Sequence, residues 1–355
     1  MENNQCENLI IDKAYCMSSF LQFRHVAKDN VAWAKGVIPK FVRRDFSKAD
    51  IIRTSEDIHK SIKKQLEKID LSKTGIMLSG GMDSAILATY LPKGSKAYTM
   101  HSLAEGAVNE TEQAKFYADK LGLDLKVVDI TWDDFLKYSP MLMKNRKAPI
   151  HSIEPMIYKT LLRAQQDGCE FVLCGENADG VFGGLDGLLS KDWLFEEFVD
   201  RFNYSDATKL LCDGIRIETP YEPYKKGSHI DMHNFISHFS AEEALNSYIN
   251  AADVANVKII APFAHMQMGI QLDIQRIRSG ESKYLIRELF KKRYNGLEPN
   301  PKLPMPRAVG VWLKDWQGPT RPEFKKININ EYKPDQKWLM FILEQFLNLI
   351  DEGEI

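Results

Sequence analysis

The hexapeptide Ser79-Gly-Gly-Met-Asp-Ser84 sits where an apolar run, Gly75-Ile-Met-Leu78, gives way to a helical pattern, Ala85-Ile-Leu-Ala-Thr-Tyr-Leu91. Strand, glycine turn and helix start in that order make a place built to hold phosphate. Two glycines let the backbone approach an anion closely, the serines carry hydroxyls, and the N–H groups of the first helical turn point at one spot with the helix dipole behind them. Asp83 adds a carboxylate to that anion site, which is repulsive unless a cation such as Mg²⁺ bridges it to the phosphates. The loop therefore points to a nucleotide held with a metal ion.

The alternation continues along the chain. Helical spacing of Ile58, Ile62, Leu66 and Ile69 predicts a helix from Ser55, capped by Ser55 and Asp57, with Lys60, Lys63, Lys64 and Lys68 on its wet face. After the glycine turn the pattern predicts a strand over 96–101, a helix over 111–121 stopped by Gly122 and a strand over 125–130. A helix over 154–166, Gly168 and a strand over 170–174 follow. Strands separated by helices at this spacing imply an α/β fold with a doubly wound parallel sheet, whose ligands lie beyond the carboxyl ends of the strands. Both glycine-bearing turns, at Ser79 and at Gly175, fall at that edge and so face one pocket.

Outside the sheet the patterning is different. Residues 1–50 mix short apolar stretches with Trp33, Gly36 and Pro39 without sustained periodicity, and read as an extended lead-in. From Lys191 onward the chain reads mainly helical, clearest over 196–202, 241–252 and 283–294, with Pro220, Pro223 and Gly227 marking a loop. Pro299, Pro301, Pro304, Pro306, Pro319 and Pro322 exclude regular structure from most of 296–322. Trp338, Phe341, Ile342, Gln345 and Leu349 share one face of a docked terminal amphipathic helix. The resulting division is a lead-in over 1–54, the main domain over 55–325 and a terminal helix within 326–355.

Composition excludes several classes of function. A net charge of −2 lacks the electrostatic footprint of a general nucleic-acid binder, so duplex DNA is not an expected partner. The first residues carry no basic and apolar leader, and no run approaches the roughly 18 apolar residues of a membrane span, so a cytoplasmic location is expected. Cysteines stand at 6, 16, 169, 174 and 212, an odd set with no CxxC pair, which argues for reduced thiols over a disulfide framework or a zinc site. His101, His151 and His265 are assigned no catalytic role.

A second motif completes the first. Gly175-Glu-Asn-Ala-Asp-Gly-Val-Phe-Gly-Gly184 again follows a predicted strand and places Glu176 and Asp179 on one short turn before a glycine pair. The two motifs, in this order, resemble the synthetase domain of the asparagine synthetase family, within the ATP pyrophosphatases that share the SGGxDS loop. Asn109–Gly122 is similar to the family's helix after the second strand, Ala261–Phe263 to its short "PF" segment, Ser282–Leu289 to its "K-x-x-x-R" helix, and Lys302–Trp316 to the proline-interrupted stretch after that.

The resemblance implies an adenine-nucleotide alpha-hydrolase-like (HUP-type) sheet with an additional helical region, and ATP and Mg²⁺ as cofactors. On it, Ser79, Gly80, Gly81 and Ser84 cradle the pyrophosphate of ATP, and Asp83 and Asp179 ligate Mg²⁺. Leu78, Met100 and Gly175 stand where the family's backbone contacts adenine. Lys283 matches the lysine that stabilises charge developing during adenylation and amide formation, and Glu176 the general base that takes a proton from the attacking amine. The implied reaction is attack of a small-molecule carboxylate on the α-phosphorus of ATP, which turns a poor oxide leaving group into AMP, followed by attack of ammonia or an amine.

The chain also departs from the family. Family members begin with a glutaminase domain whose cysteine nucleophile directly follows the initiator methionine, whereas residue 2 here is Glu2, so glutamine hydrolysis in cis is not expected. The nitrogen source is then free ammonia, ammonia from a separate amidotransferase, or an amine on a second substrate. Lys258, Ile260 and His265 replace charged family residues around the "PF" segment, which speaks against aspartate as the substrate. Gly180 replaces the second motif's final glutamate, and Cys174 replaces a serine as a small residue packing behind adenine. Two alternatives share these residues: activation of a base carbonyl, as in tRNA or deazapurine modification, and a non-catalytic nucleotide-binding homologue. The first usually relies on paired cysteines, and the second has no physical reason to keep clustered carboxylates beside a phosphate loop.

Overall fold

A computed structural model describes residues 9–300, 303, 305 and 307–355. Glu2, Cys6, Pro301, Lys302, Pro304 and Pro306, named above, lie outside the described residues. Five parallel strands form the central sheet: β1 (Thr74–Met77), β2 (Lys96–Ser102), β3 (Asp124–Ile130), β4 (Phe171–Leu173) and β5 (Lys258–Ile260). Their spatial order is β5-β4-β1-β2-β3, with every pairing parallel. The chain builds outward from β1 to β3, then crosses back to place β4 on the other side of β1, so the fold is the doubly wound α/β sheet expected. The fifth strand was unforeseen, because three edge residues carry no readable period.

The sheet is buried on both faces, and successive side chains of β1 serve opposite layers. Ile76 packs in the same cluster as Ile58, Ile62 and Leu87, whereas Met77 joins Ile157, Leu161 and Leu245 on the other side. Of the helices, those that build the layers and the site are, in chain order, α1 (Lys13–Phe23), α2 (Ser55–Leu66), α3 (Met82–Ala88), α4 (Thr111–Leu121), α5 (Trp132–Arg146), α6 (Glu154–Gln166) and α7 (Ala178–Phe182). After these come α8 (Ala241–Ala255), α9 (Tyr284–Arg293) and α10 (Pro334–Asp351). Helices α5, α6 and α8 pack together on one layer, and α9 packs against α2 and α3 on the other.

Local chemistry sets the helix ends. Thr54, not Ser55, caps α2: its hydroxyl accepts the Asp57 N–H at 3.2 Å, and the Asp57 carboxylate accepts the Thr54 N–H at 2.9 Å, a capping box. Ser55 instead lies buried inside the helix, with its hydroxyl accepting from Lys292 Nζ at 2.8 Å. Gly122 ends α4 at φ 68°, a conformation glycine adopts without a Cβ penalty. Helix α3 begins at Met82 and stops at Ala88, three residues short of the predicted pattern.

Two expectations are corrected. The lead-in is not extended throughout, since Lys13–Phe23 is helical and buried from Cys16 to Phe23. Its polar residues are inside because distant backbone satisfies them: Ser18 Oγ accepts the Ile215 N–H at 3.1 Å and Gln22 Oε1 the Ile217 N–H at 2.9 Å. Helix α10 is buried more broadly than one stripe. Leu339, Leu343, Phe346 and Leu347 are buried along with Trp338 and Ile342, because α1 also packs against it.

Candidate active site

The reversal of strand order lies between β1 and β4, and at such a switch point the loops at the carboxyl ends part and leave a crevice. The turn after β1 is Ser79–Ser84 and the turn after β4 is Gly175–Asp179, so both glycine motifs border this crevice. They are in close contact. A Cβ on Gly175 would stand 3.0 Å from Asp83 Cβ and 3.0 Å from the Ser84 nitrogen, so a side chain there would force the two turns apart. A cavity of about 450 Å³ opens at this place, lined by Leu78, Ser79, Gly81, Asp83, Ser84, Met100, Gly175, Glu176, Asp179 and Lys283. That volume lies within the usual range of small-molecule sites.

One expected loop residue stands apart. Gly80 does not line the cavity; its N–H donates to Glu110 Oε2 at 3.3 Å, and a Cβ there would meet the Gln113 side chain at 2.3 Å. The serine hydroxyls also behave differently from simple phosphate donors. Ser79 Oγ and Ser84 Oγ are 2.8 Å apart, and Ser84 Oγ also accepts the Ser79 N–H at 3.1 Å, so buried Ser84 braces the loop from within.

The centre of the site is electrostatic. Lys283 Nζ lies 2.6 Å from Asp83 Oδ2 and 2.8 Å from Asp179 Oδ1, joining the first turn of α3, α7 and the residue that caps α9. Lys283 is only 3% exposed, so it is not the solvated helical lysine that its sequence surroundings suggest. It also precedes its helix: α9 starts at Tyr284, and Lys283 adopts φ 52°, ψ 42°. A left-handed lysine costs on the order of 1 kcal/mol or more and persists only where surrounding contacts hold it. Burial opposes its charge, yet the two carboxylates outweigh burial and raise its pKa above the ordinary lysine value.

The convergence of Asp83 and Asp179 on one cation tests the site for Mg²⁺. Two carboxylate oxygens already stand around a single positive centre, which is the arrangement a hard divalent ion requires. Among the described residues no three His, Cys, Asp or Glu side chains gather as a metal site. The pair therefore suits an ion that takes its remaining ligands from phosphate and water, as Mg²⁺ does with nucleotides. The residues fit that group.

Glu176 lies at the edge of this charge cluster. Its Oε1 accepts the N–H of Asn177 at 3.0 Å, and Asn177 takes a left-handed conformation at φ 72° that turns the chain into α7. Burial first, and then the charges of Asp179, Glu243 and Asp83, push the Glu176 carboxyl up to about 7 against that hydrogen bond. Such a carboxyl exchanges protons near neutrality.

Sequence reasoning missed several lining residues. Glu110 is buried at the start of α4, and burial pushes its carboxyl up to about 7 against the N–H of Gly80. It fell within the segment 109–122 singled out above, so a signal existed. Arg287, one turn after Lys283 on α9, was likewise visible in the K-x-x-x-R spacing. Tyr248 lines the cavity from the middle of α8, where no local motif marks it.

The family comparison agrees with the motifs. The asparagine synthase family profile matches residues 54–319. No curated protein matches the chain significantly. Among solved structures, the NMN synthetase of Francisella tularensis aligns over 70% of this chain and 97% of its own at 12% identity and a TM-score of 0.27. A predicted subunit of tRNA methyltransferase from Methanocaldococcus jannaschii DSM aligns over 65% of this chain and 92% of its own at 16% identity and a TM-score of 0.25. At TM-scores of this size neither likeness bears on fold or substrate. The profile match takes in the first four strands and β5, both glycine turns, Glu176 and Lys283, and the chain belongs to the asparagine synthase family.

Proposed function

We propose that the protein is an ATP-dependent, AMP- and pyrophosphate-forming amide synthetase, which adenylates a small-molecule carboxylate and transfers the acyl group to ammonia or an amine. The observation that carries this reading is the meeting of Asp83, Asp179 and Lys283 at the switch-point crevice with Glu176 beside them. Family membership supports ATP-dependent synthesis, and the residue roles that follow are part of the proposal.

Asp83 and Asp179 would hold Mg²⁺, which when bound would supply neutralisation of phosphate charge. Ser79 and Gly81 line the path of the pyrophosphate on a loop held in shape from within, the Ser79 N–H donating to Ser84 Oγ and the Gly81 N–H to Ser79 Oγ. Leu78 and Met100, at the ends of β1 and β2, border the adenine. Lys283 is held charged by its two carboxylates and sits where negative charge grows on the transferring groups. Glu176, with a carboxyl near neutrality, takes the proton from the incoming amine. The carboxylate substrate and the nitrogen source are drawn from small molecules, with a separate amidotransferase as one route for ammonia.

The test is exchange of labelled pyrophosphate into ATP across a library of carboxylates with Mg²⁺. One or more carboxylates should drive exchange, and Asp83→Ala and Asp179→Ala should each abolish it. ATP binding without exchange across a broad library, or full activity in either variant, refutes the reading.

A further inference from the structure

A second cavity, of about 600 Å³, lies on the far side of the α7 turn from Asp179. Val181 lines it, whereas Asp179, two residues earlier, lines the first cavity. The two spaces are separated by the Gly183–Gly184 turn. A Cβ on Gly183 would meet Leu272 and Leu189, which line the second cavity, and one on Gly184 would meet Asp179 and Lys283.

The charge of this cavity is unusual. Arg44 lines it, and its guanidinium donates only to main-chain carbonyls, those of Ala264 at 2.9 Å, Ser237 at 2.8 Å and Met266 at 3.1 Å. Among the described residues that guanidinium is in no ion pair. Glu242 is near, but one oxygen accepts the Arg44 main-chain N–H at 2.7 Å and the other pairs with Arg43 at 3.2 Å. Both terminal nitrogens of Arg44 keep further donors beyond those used. Burial of a guanidinium is costly, and burial pushes the Arg44 pKa down to about 10 against the opposing charge of Glu242.

The other charges at the cavity cancel. Lys226 pairs with Asp231 at 2.6 Å and Asp192 with Arg278 at 2.7 Å. His233 and His238 are pushed down by burial, His238 further by the charge of Arg44, so both are neutral at pH 7. Among the described residues, Arg44 is the cationic group at the cavity that no carboxylate pairs directly: Glu242 acts on it without an ion-pair contact, while Arg43 pairs with both Glu242 and Asp29. Met266, Met268, Leu272 and Ile274 supply the apolar part of the wall beside the neutral polar side chains of Asn234, Gln267 and Gln271, and Phe46 packs against His238 with ring centroids 4.3 Å apart.

We propose that this second cavity binds an organic monocarboxylate with an apolar body, its carboxylate on the free donors of Arg44 and its body against the methionine and aromatic wall. A single guanidinium matches a single negative charge in bidentate geometry, whereas a phosphate dianion would leave a charge unpaired. The site is independent of the adenylation reading, because it uses none of the residues of the first cavity.

The test is calorimetric titration of the full chain, without nucleotide, using 3-phenylpropionate as probe, with 3-phenylpropanol and phenyl phosphate as comparisons. Saturable binding of the carboxylate is expected, with the alcohol at least about tenfold weaker, the usual loss when a charge-assisted hydrogen bond is removed. Phenyl phosphate should also be weaker. Ile270→Glu and Met268→Glu each bring a negative charge to the cavity wall, and Ile270 is 43% exposed, so the fold should tolerate the first change. Both should weaken the probe at least about tenfold with unchanged melting temperature for Ile270→Glu. No saturable binding, equal binding of the alcohol, tighter binding of the phosphate, or binding untouched by Ile270→Glu overturns the proposal.

Discussion

Gly184→Ala is the substitution with the most specific predicted consequence. A Cβ at this position would lie 2.2 Å from Asp179 Oδ1, 2.7 Å from Lys283 Cδ and 2.9 Å from Asp179 Cα. Ordinary van der Waals contact begins at 3.4 Å, so the carboxylate oxygen must retreat by about 1 Å. That oxygen is the one 2.8 Å from Lys283 Nζ, and the same retreat takes it away from the point where Asp83 also converges. A displacement of about 1 Å in a positioned group costs roughly 100-fold in rate, while overpacking costs about 1–3 kcal/mol of stability. Gly184→Ala should therefore lower pyrophosphate exchange about 100-fold and weaken Mg·ATP binding by calorimetry, in a protein that still melts cooperatively. Gly187→Ala is the control, since the nearest atom to its Cβ is Arg201 Nη2 at 3.9 Å, and it should match the parent protein. Parent-like exchange and nucleotide affinity in Gly184→Ala would refute the claim that the seating of Asp179 against this glycine sets the site.

Lys283→Ala should reduce turnover far more than ATP affinity, and a pure loss of ATP binding with normal turnover at saturation speaks against the role given to Lys283. Amide formation at saturating ATP and amine should rise with pH through about 7, because Glu176 accepts a proton only when ionised and burial first, then neighbouring carboxylates, place its carboxyl there. Glu176→Gln should stop amide formation yet leave pyrophosphate exchange. Glu110 titrates in the same range, so a rise that survives in Glu176→Gln and vanishes in Glu110→Gln reassigns the base. The same raised pKa values carry a stability effect of definite sign. Between the usual glutamate value and about 7 the folded state holds protons that the unfolded state has released, so urea midpoints should fall as pH rises through that window, and fall less in Glu176→Gln, where Glu110 and Glu154 keep the remainder. Trp338, 2% exposed with its indole N–H donating to the Ile150 carbonyl at 3.1 Å, anchors the terminal helix, and Trp338→Ala should cost about 3–5 kcal/mol in urea unfolding.

What the sequence alone determined were features written locally. The helix over 154–166 and the end of α4 at Gly122 fall where periodicity and turn chemistry placed them, because each depends on residues within a few positions. The two glycine motifs were legible for the same reason, as was the strand-helix alternation that demands a parallel sheet. Helix α1 was not legible. Its Ser18, Ser19 and Gln22 are buried, Ser18 and Gln22 being satisfied by backbone nearly two hundred residues away, so no amphipathic period exists to be read. Strand β5 and cavity-lining Tyr248 escaped for similar reasons, one too short for a period and the other in a helix without a motif. Tertiary structure alone decided that β4 lies beside β1, that Lys283 leaves the solvent, and that Asp83 and Asp179 meet on its ammonium. Strand order and the convergence of charges are set by which buried surfaces fit one another across the whole sheet, and that information is spread over every element that packs there.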